Sequence, residues 1–275
     1  MNSGKRIRLA RLFQRASGRS IIVPMDHGAT MGPLDGITDL CSSVIRLQAT
    51  LDLVQGIVLH RGAMSHLDEK LMASDVPPRI LHLSGGTAID PAQGSKSLVA
   101  QVEDALQIGA DAVSVQVNLG VDGEGAMLRD LGAVASACGR WSMPLLAMMY
   151  VRTKGMTSTR TEDVKLAARV AAETGADLVK VSHPGSVEAM REVVDGCFVP
   201  VLVAGGERAN DPAGVAAAVR SALDGGAAGI CVGRNTFQAP SPSAMLRTLA
   251  ELVHGVPQRV AVPPSGRQHD APTFA

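Results

Sequence analysis

Apolar residues along this chain gather in short continuous runs, each closed by Gly, Pro, Asp or Asn. Eight runs read as strands buried on both faces: IIVPMD (21–26), GIVLHRG (56–62), ILHLSGG (80–86), AVSVQVN (112–118), LLAMMY (145–150), DLVKVS (177–182), VLVAGG (201–206) and GICVGRN (229–235). Their starts lie 24 to 35 residues apart, the period of one strand–helix unit. Stretches of helical period fill the gaps, most clearly at 97–110, 161–176 and 211–227. Thr161 with Glu162 and Asp163 behind it, and Asp211 followed by Pro212, read as helix starts.

An internal echo supports a repeated unit. IGADAVSVQ (108–116), TGADLVKVS (174–182) and GGAAGICVG (225–233) share a helix-stopping glycine, a small residue and then a buried strand. Eight such units predict an α/β fold, a single (β/α)8 TIM barrel. A doubly wound open sheet is the alternative, disfavoured by the lack of GxGxxG after the first strand. Residues 3–16 predict a basic N-terminal helix that caps the barrel or meets another subunit. The domain is expected over 1–254, and the Pro-rich, aperiodic 255–275 reads as a loose tail.

Composition narrows the function. With 26 Lys+Arg against 26 Asp+Glu the formal charge is zero, so no global field draws in nucleic acid or an anionic membrane. No run approaches the ~18 apolar residues of a membrane span, and MNSGKRIRLARLFQR lacks the apolar core of a secretory signal. A cytoplasmic location is expected. Cys41, Cys138, Cys197 and Cys231 are widely spaced and read as reduced core thiols. Aromatics are only 2%, which suits small and β-branched strands packed on Ala-rich helices. Six of the 26 basic residues are lysines, so the position of each is informative.

In such a barrel, function sits where strands end. Lys180 lies inside the apolar run Leu178–Val181, where an ammonium is costly unless neutral or paired. Burial that lowers an amine from ~10.4 to ~7 would make it a nucleophile, at roughly 4–5 kcal/mol of differential solvation. A buried ion pair with Asp26 is the other reading. Asp26, ending the first strand, suits general acid–base work or a plain counter-ion role. Tyr150, the only tyrosine, ends the fifth strand, where its hydroxyl can relay protons or simply be a satisfied core group. Gly205-Gly206 and Gly233-Arg234 match a phosphate site after strands seven and eight, with backbone N–H groups and a guanidinium. His27 and Ser84 are placed with them as substrate contacts. His27, His60, His82 and His183 lie in or just after strands, yet none forms a His-x-His on the first strand; no metal and no cofactor are expected.

Over about residues 5–253 the chain resembles the archaeal-type class I aldolases of the DeoC/LacD-like superfamily, most closely their 2-amino-3,7-dideoxy-D-threo-hept-6-ulosonate synthase branch. The resemblance is carried by IIVPMDHG with Gly32-Pro33, HLSGGTAI, GADAVSVQVNLG, MPLLAMMY, GADLVKVS, PVLVAGG and AAGICVGRNTFQ. It implies a Schiff-base lysine at Lys180, an acid–base aspartate at Asp26, a proton-donating tyrosine at Tyr150, and phosphate contacts at Gly205, Gly206, Gly233 and Arg234. It also implies a phosphorylated ketose donor, an amino-aldehyde acceptor (L-aspartate semialdehyde) and a homo-oligomer such as a ring-based decamer. Two donors fit: a deoxyketohexose phosphate used in transaldol transfer, slightly favoured by VPMDHG, or dihydroxyacetone phosphate. Fructose-bisphosphate cleavage ranks third, and a sugar-phosphate isomerase or ligand-binding barrel without imine chemistry is the rival class. The chain departs from the family at Tyr150-Val151-Arg152-Thr153, where Tyr-Pro-Arg-Gly is common, and at Ser182-His183-Pro184-Gly185.

Overall fold

The structure is a computed structural model that describes residues 2–68, 76–90, 94–153, 156–209 and 211–255. Eight parallel strands are β1 (Ser20–Pro24), β2 (Gly56–Leu59), β3 (Arg79–His82), β4 (Ala112–Leu119), β5 (Leu145–Thr153), β6 (Leu178–Val181), β7 (Val201–Ala204) and β8 (Gly229–Cys231). Each pairs with its sequence neighbours, and β8 returns to β1, so the sheet closes into a (β/α)8 barrel. Around it lie α1 (Ser3–Arg11), α2 (Leu40–Leu47), α3 (Arg61–Asp68), α4 (Val102–Gln107), α5 (Glu124–Trp141), α6 (Thr161–Thr174), α7 (Val187–Asp195), α8 (Pro212–Asp224) and α9 (Pro242–His254).

Successive side chains of a strand face opposite sides, which divides the core in two. Outward residues such as Ile21, Val23, Val179 and Val181 pack under the helices. Inward residues Ile22, Val58, Ile80, Ala112, Leu146, Leu178, Leu202 and Cys231 fill the barrel. The strands therefore read as unbroken apolar runs, because both faces are buried. At the same parity, the interior turns polar toward the strand ends. Ala112 is followed by Ser114, Gln116 and Asn118; Leu146 by Met148 and Tyr150; Leu178 by Lys180; and Ile80 by His82. Met148 pairs in register with Lys180, and Asn118 with Tyr150, so this polar layer is continuous across β4, β5 and β6.

The opposite end is plugged by α1. Leu9, Leu12 and Phe13 pack against the inner cluster, and Lys5 ion-pairs with Asp177 at 2.7 Å while Arg11 meets Asp111 at 2.9 Å. These basic residues hold the cap to the barrel floor. The helix is shorter than expected, ending at Arg11, because Leu12 already turns inward and is fully buried.

Two further expectations are corrected. Residues 97–110 are not one helix: Ser97–Leu98 pairs antiparallel with Ser84–Gly85, and Val99 N–H donates to Leu83 O at 2.8 Å. The helix starts only at Val102, where Gln101 and Asp104 form a reciprocal capping box. Thr161 is the first residue of α6 and not its cap, since Arg160 holds that position without a side-chain bond. Asp211 does cap α8, accepting from the N–H groups of Ala213 and Gly214. The tail expected beyond Gly255 lies outside the described residues. Among the described residues, no helix is long and apolar enough to cross a membrane.

Candidate active site

Lys180 projects from β6 into the polar end of the barrel and is 6% exposed. Its ammonium lies 5.9 Å from the centroid of the Tyr150 ring and hydrogen-bonds the Tyr150 side chain. The thiol of Cys231, from β8, is its other side-chain partner. Burial opposes the lysine charge, but Cys231, Tyr150 and Asp26 together outweigh it and hold Lys180 above the usual lysine range. Of the two readings open for this lysine, that agrees with the buried ion pair and not with a depressed amine. The barrel around the amine is apolar only below it; beside and above it stand groups that accept its protons.

Asp26, just past β1, is half-buried by side chain and surrounded by three imidazoles. His82 Nε2 lies 3.6 Å and His27 Nδ1 3.8 Å from its oxygens. Burial alone would raise the carboxyl; His82 and His27, then Lys180 and His60, bring it below the usual carboxylate value. Burial pushes His82 down to about 4. At neutral pH that ring is uncharged, so Lys180 supplies the cationic support for Asp26. His82 Nδ1 is 2.8 Å from Ser114 Oγ, and the His60 ring packs edge-on against it at 5.2 Å. Ser114, His82 and Asp26 thus form one chain across β4, β3 and β1, which fixes the carboxylate. The sequence placed His82 near a strand end but assigned it no role. Its inward parity with Ile80 was the available signal.

The second half of the site lies after β7 and β8. Gly233 touches the end of β1 so closely that a Cβ there would sit 2.6 Å from Pro24 O and 2.8 Å from His27 Cε1. Arg234 opens the one-turn helix Arg234–Phe237 and donates to Gly206 O at 3.2 Å. Its Nε is buried without a partner, as is His27 Nδ1, and the two residues interact electrostatically. Asn235, 4% exposed, donates to Gly205 O and Glu207 O and accepts from Ala209 N–H, which fixes the loop that follows β7. Among the described residues, the N–H groups of Gly206, Gly233 and Arg234 meet no acceptor, whereas Gly205 N–H donates to Cys231 O at 3.4 Å. Unengaged N–H groups with a guanidinium make a cradle for a phosphate dianion.

The structure thus brings Lys180, Tyr150, Asp26, His27, Gly206, Gly233 and Arg234 to the end of the barrel where the strands finish. Ser84 does not join them. It sits on the β3 side, and its Oγ accepts from Gln116 N–H at 3.0 Å. His183 is turned away, 3.2 Å from Ser221 of α8.

Residues 20–239 match the family model described as DeoC/LacD family aldolase. The chain is 46% identical over 249 residues to the 2-amino-4,5-dihydroxy-6-oxo-7-(phosphonooxy)heptanoate synthase of Streptomyces griseus, covering 90% of this chain and 89% of that one. It is 37% identical over 252 residues to the 2-amino-3,7-dideoxy-D-threo-hept-6-ulosonate synthase 1 of Archaeoglobus fulgidus, covering 92% of each. Among solved structures, an archaeal fructose-1,6-bisphosphate aldolase with its catalytic lysine bound to a carbinolamine intermediate superposes with a TM-score of 0.82. The two are 31% identical, over 91% of this chain and 100% of that one. The chain is an enzyme of the Schiff-base class and belongs to the DeoC/LacD family of aldolases.

Proposed function

We propose that this enzyme condenses dihydroxyacetone phosphate with L-aspartate semialdehyde to give 2-amino-4,5-dihydroxy-6-oxo-7-(phosphonooxy)heptanoate. The observation that carries the imine chemistry is Lys180, a buried amine set beside Tyr150 and Asp26 at the end of the barrel where Arg234 and His27 also stand. The donor choice follows from the Streptomyces griseus relative. In that relative's named product, the bond adjacent to the ketone's α-carbon, C4–C5, divides the chain into dihydroxyacetone phosphate and aspartate semialdehyde. Whole-chain identity of 46% against 37% favours this reaction over the transaldol route that the VPMDHG segment suggested. The 37% relative supports the transaldol route as second reading.

Lys180 rests as an ammonium, so its proton passes first to water. The free amine attacks the donor ketone, and the carbonyl oxygen takes a proton from Tyr150 to give a carbinolamine. Loss of that oxygen as water leaves an iminium. The hydroxymethyl carbon then gives up a proton to the Asp26 carboxylate, and the resulting enamine bonds to the acceptor's aldehyde carbon, whose oxygen takes that proton back. Water hydrolyses the new iminium and frees Lys180. One C–C bond forms, the water released is taken up again, and no oxidant is needed. Arg234, His27 and the N–H groups of Gly206 and Gly233 hold the donor phosphate throughout.

Borohydride reduction with dihydroxyacetone phosphate present is expected to leave one adduct, on Lys180, by mass spectrometry. An adduct elsewhere, or none despite turnover, overturns the imine reading in favour of a barrel that binds sugar phosphates without it. Turnover with a deoxyketohexose phosphate but not with dihydroxyacetone phosphate overturns the donor assignment.

A further inference from the structure

Two cations at the barrel mouth have no task in the reaction just described. Lys96 follows β3 on a strap held down by Asn118 of β4, whose Nδ2 donates to Gly94 O at 2.5 Å. Its Nζ donates to Thr30 Oγ1 and Gly86 O, each at 3.1 Å. Arg152 lies two residues beyond Tyr150 on β5, so the two share a side of the strand. Its guanidinium is 5.5 Å from the Tyr150 ring centroid, and Nη1 donates to Thr157 Oγ1 at 2.5 Å. Its Nε is buried without a partner.

Every acceptor in these contacts is neutral, so neither charge is compensated by them. Lys96 is half-buried and pushed below the usual lysine value, by burial first and by Arg152 as well, with Asp26 opposing. Lys96 also acts on His60 and His82, which places it at the reacting end of the barrel. Two like charges drawn together out of water, one with an orphaned donor, are a strained arrangement that an anion between them would relieve.

We propose that Lys96 and Arg152 form a second anion subsite that receives the carboxylate of the aldehyde acceptor. The phosphate cradle belongs to β7 and β8, while these cations belong to β3 through β5, on the other side of a ring in which β8 and β4 are farthest apart. Lys180 and Tyr150 stand between the two. A donor anchored by phosphate at one wall and joined to Lys180 exposes its enamine carbon toward the opposite wall. An acceptor arriving there brings its aldehyde to that carbon and its far end to Lys96 and Arg152. In the reaction proposed above, on which this subsite rests, that far end is a carboxylate, which the Arg152 fork and the Lys96 ammonium both suit.

The test compares wild type with Lys96→Met and Arg152→Gln. With dihydroxyacetone phosphate as donor, KM for succinate semialdehyde is expected to rise roughly 10- to 100-fold in each variant, the loss of a charge-assisted hydrogen bond. KM for butanal, and the yield of borohydride-trapped donor on Lys180, should hold within about twofold, which also shows that the variants are folded. Equal rises for both aldehydes, or no rise for either, overturns the subsite. Calorimetric titration with L-homoserine, which carries the acceptor's carboxylate with a hydroxyl in place of the aldehyde, reads the same subsite without any donor. Wild type is expected to bind it and the variants to lose it; binding that is equal in all three, or absent from wild type, overturns the subsite. Homoserine binding lost in the variants while wild type forms no adduct with dihydroxyacetone phosphate refutes the donor assignment and leaves the subsite standing.

Discussion

Gly233→Ala should damage the proposed phosphate cradle without removing any of its charged or polar groups. The added Cβ would meet Pro24 O at 2.6 Å, His27 Cε1 at 2.8 Å and Pro24 Cγ at 3.1 Å, where ordinary contact begins near 3.4 Å. One of these is a backbone carbonyl at the end of β1, so it cannot rotate aside. The end of β1 and the loop after β8 must part by roughly 0.5–1 Å, at a cost of about 1–3 kcal/mol as for other overpacked sites. In a domain of this size that lowers Tm by about 2–10 °C. A misplacement approaching 1 Å in the groups that position a substrate can cost up to ~100-fold in rate. The assay is KM for the donor together with Tm, against two controls. Gly28→Ala meets nothing within 4 Å and should leave both unchanged. Gly206→Ala also has open space, but its φ of +70° adds about 1–2 kcal/mol of left-handed strain. If Gly233→Ala behaves like Gly28→Ala in both measurements, β1 does not buttress the cradle and the reasoning fails.

Three other outcomes are expected. Lys180→Met should lose turnover and the borohydride adduct yet still bind inorganic phosphate by calorimetry; measurable turnover by the variant would contradict the imine. Because Lys180 is held above the usual lysine range, kcat/KM for the donor should climb about tenfold per pH unit from pH 7 to 9, since the neutral amine is the reactive form. A plateau above pH 7 would show a depressed amine instead. His82 is pushed down to about 4 from 6.5. Its contribution to stability is therefore present above pH 6.5 and fades as pH falls toward 4, by about 3 kcal/mol in all. Urea midpoints at pH 7 and 4.5 should diverge in wild type and draw together in His82→Gln.

The barrel was legible because its strands are buried on both faces and so stand out as continuous apolar runs. Their ends were overread by three residues at β2 and by four at β3 and β8, where the chain leaves the sheet while still apolar or glycine-rich. The segment 97–110 misled because the apolar spacing of Leu98, Val99 and Val102 fits a helix. Leu98 is in fact held in a strand pair with Ser84, a partner in another loop. Lys180, Asp26, Tyr150 and the glycine–arginine pairs could be singled out as candidates because each stands at a strand end. Lys96 and Arg152 could not: one lies on a strap and one beyond the expected end of β5, and what gathers them is the extension of β5 to Thr153.

The charge state of Lys180 carries the broader lesson. An amine in an apolar strand is either neutral or paired, since removing a lone charge from water costs several kcal/mol, and the strand alone does not say which. That argument considers only the residue's own strand. Here the deciding neighbours come from other strands: Cys231 from β8, Tyr150 from β5 and Asp26 after β1. Cys231 is a thiol pushed up to about 11, and so is neutral at working pH. It accepts a hydrogen bond and attracts the ammonium only weakly, which leaves Asp26 as the full counter-charge. The resting site therefore stores its proton on the lysine and its negative charge on the aspartate.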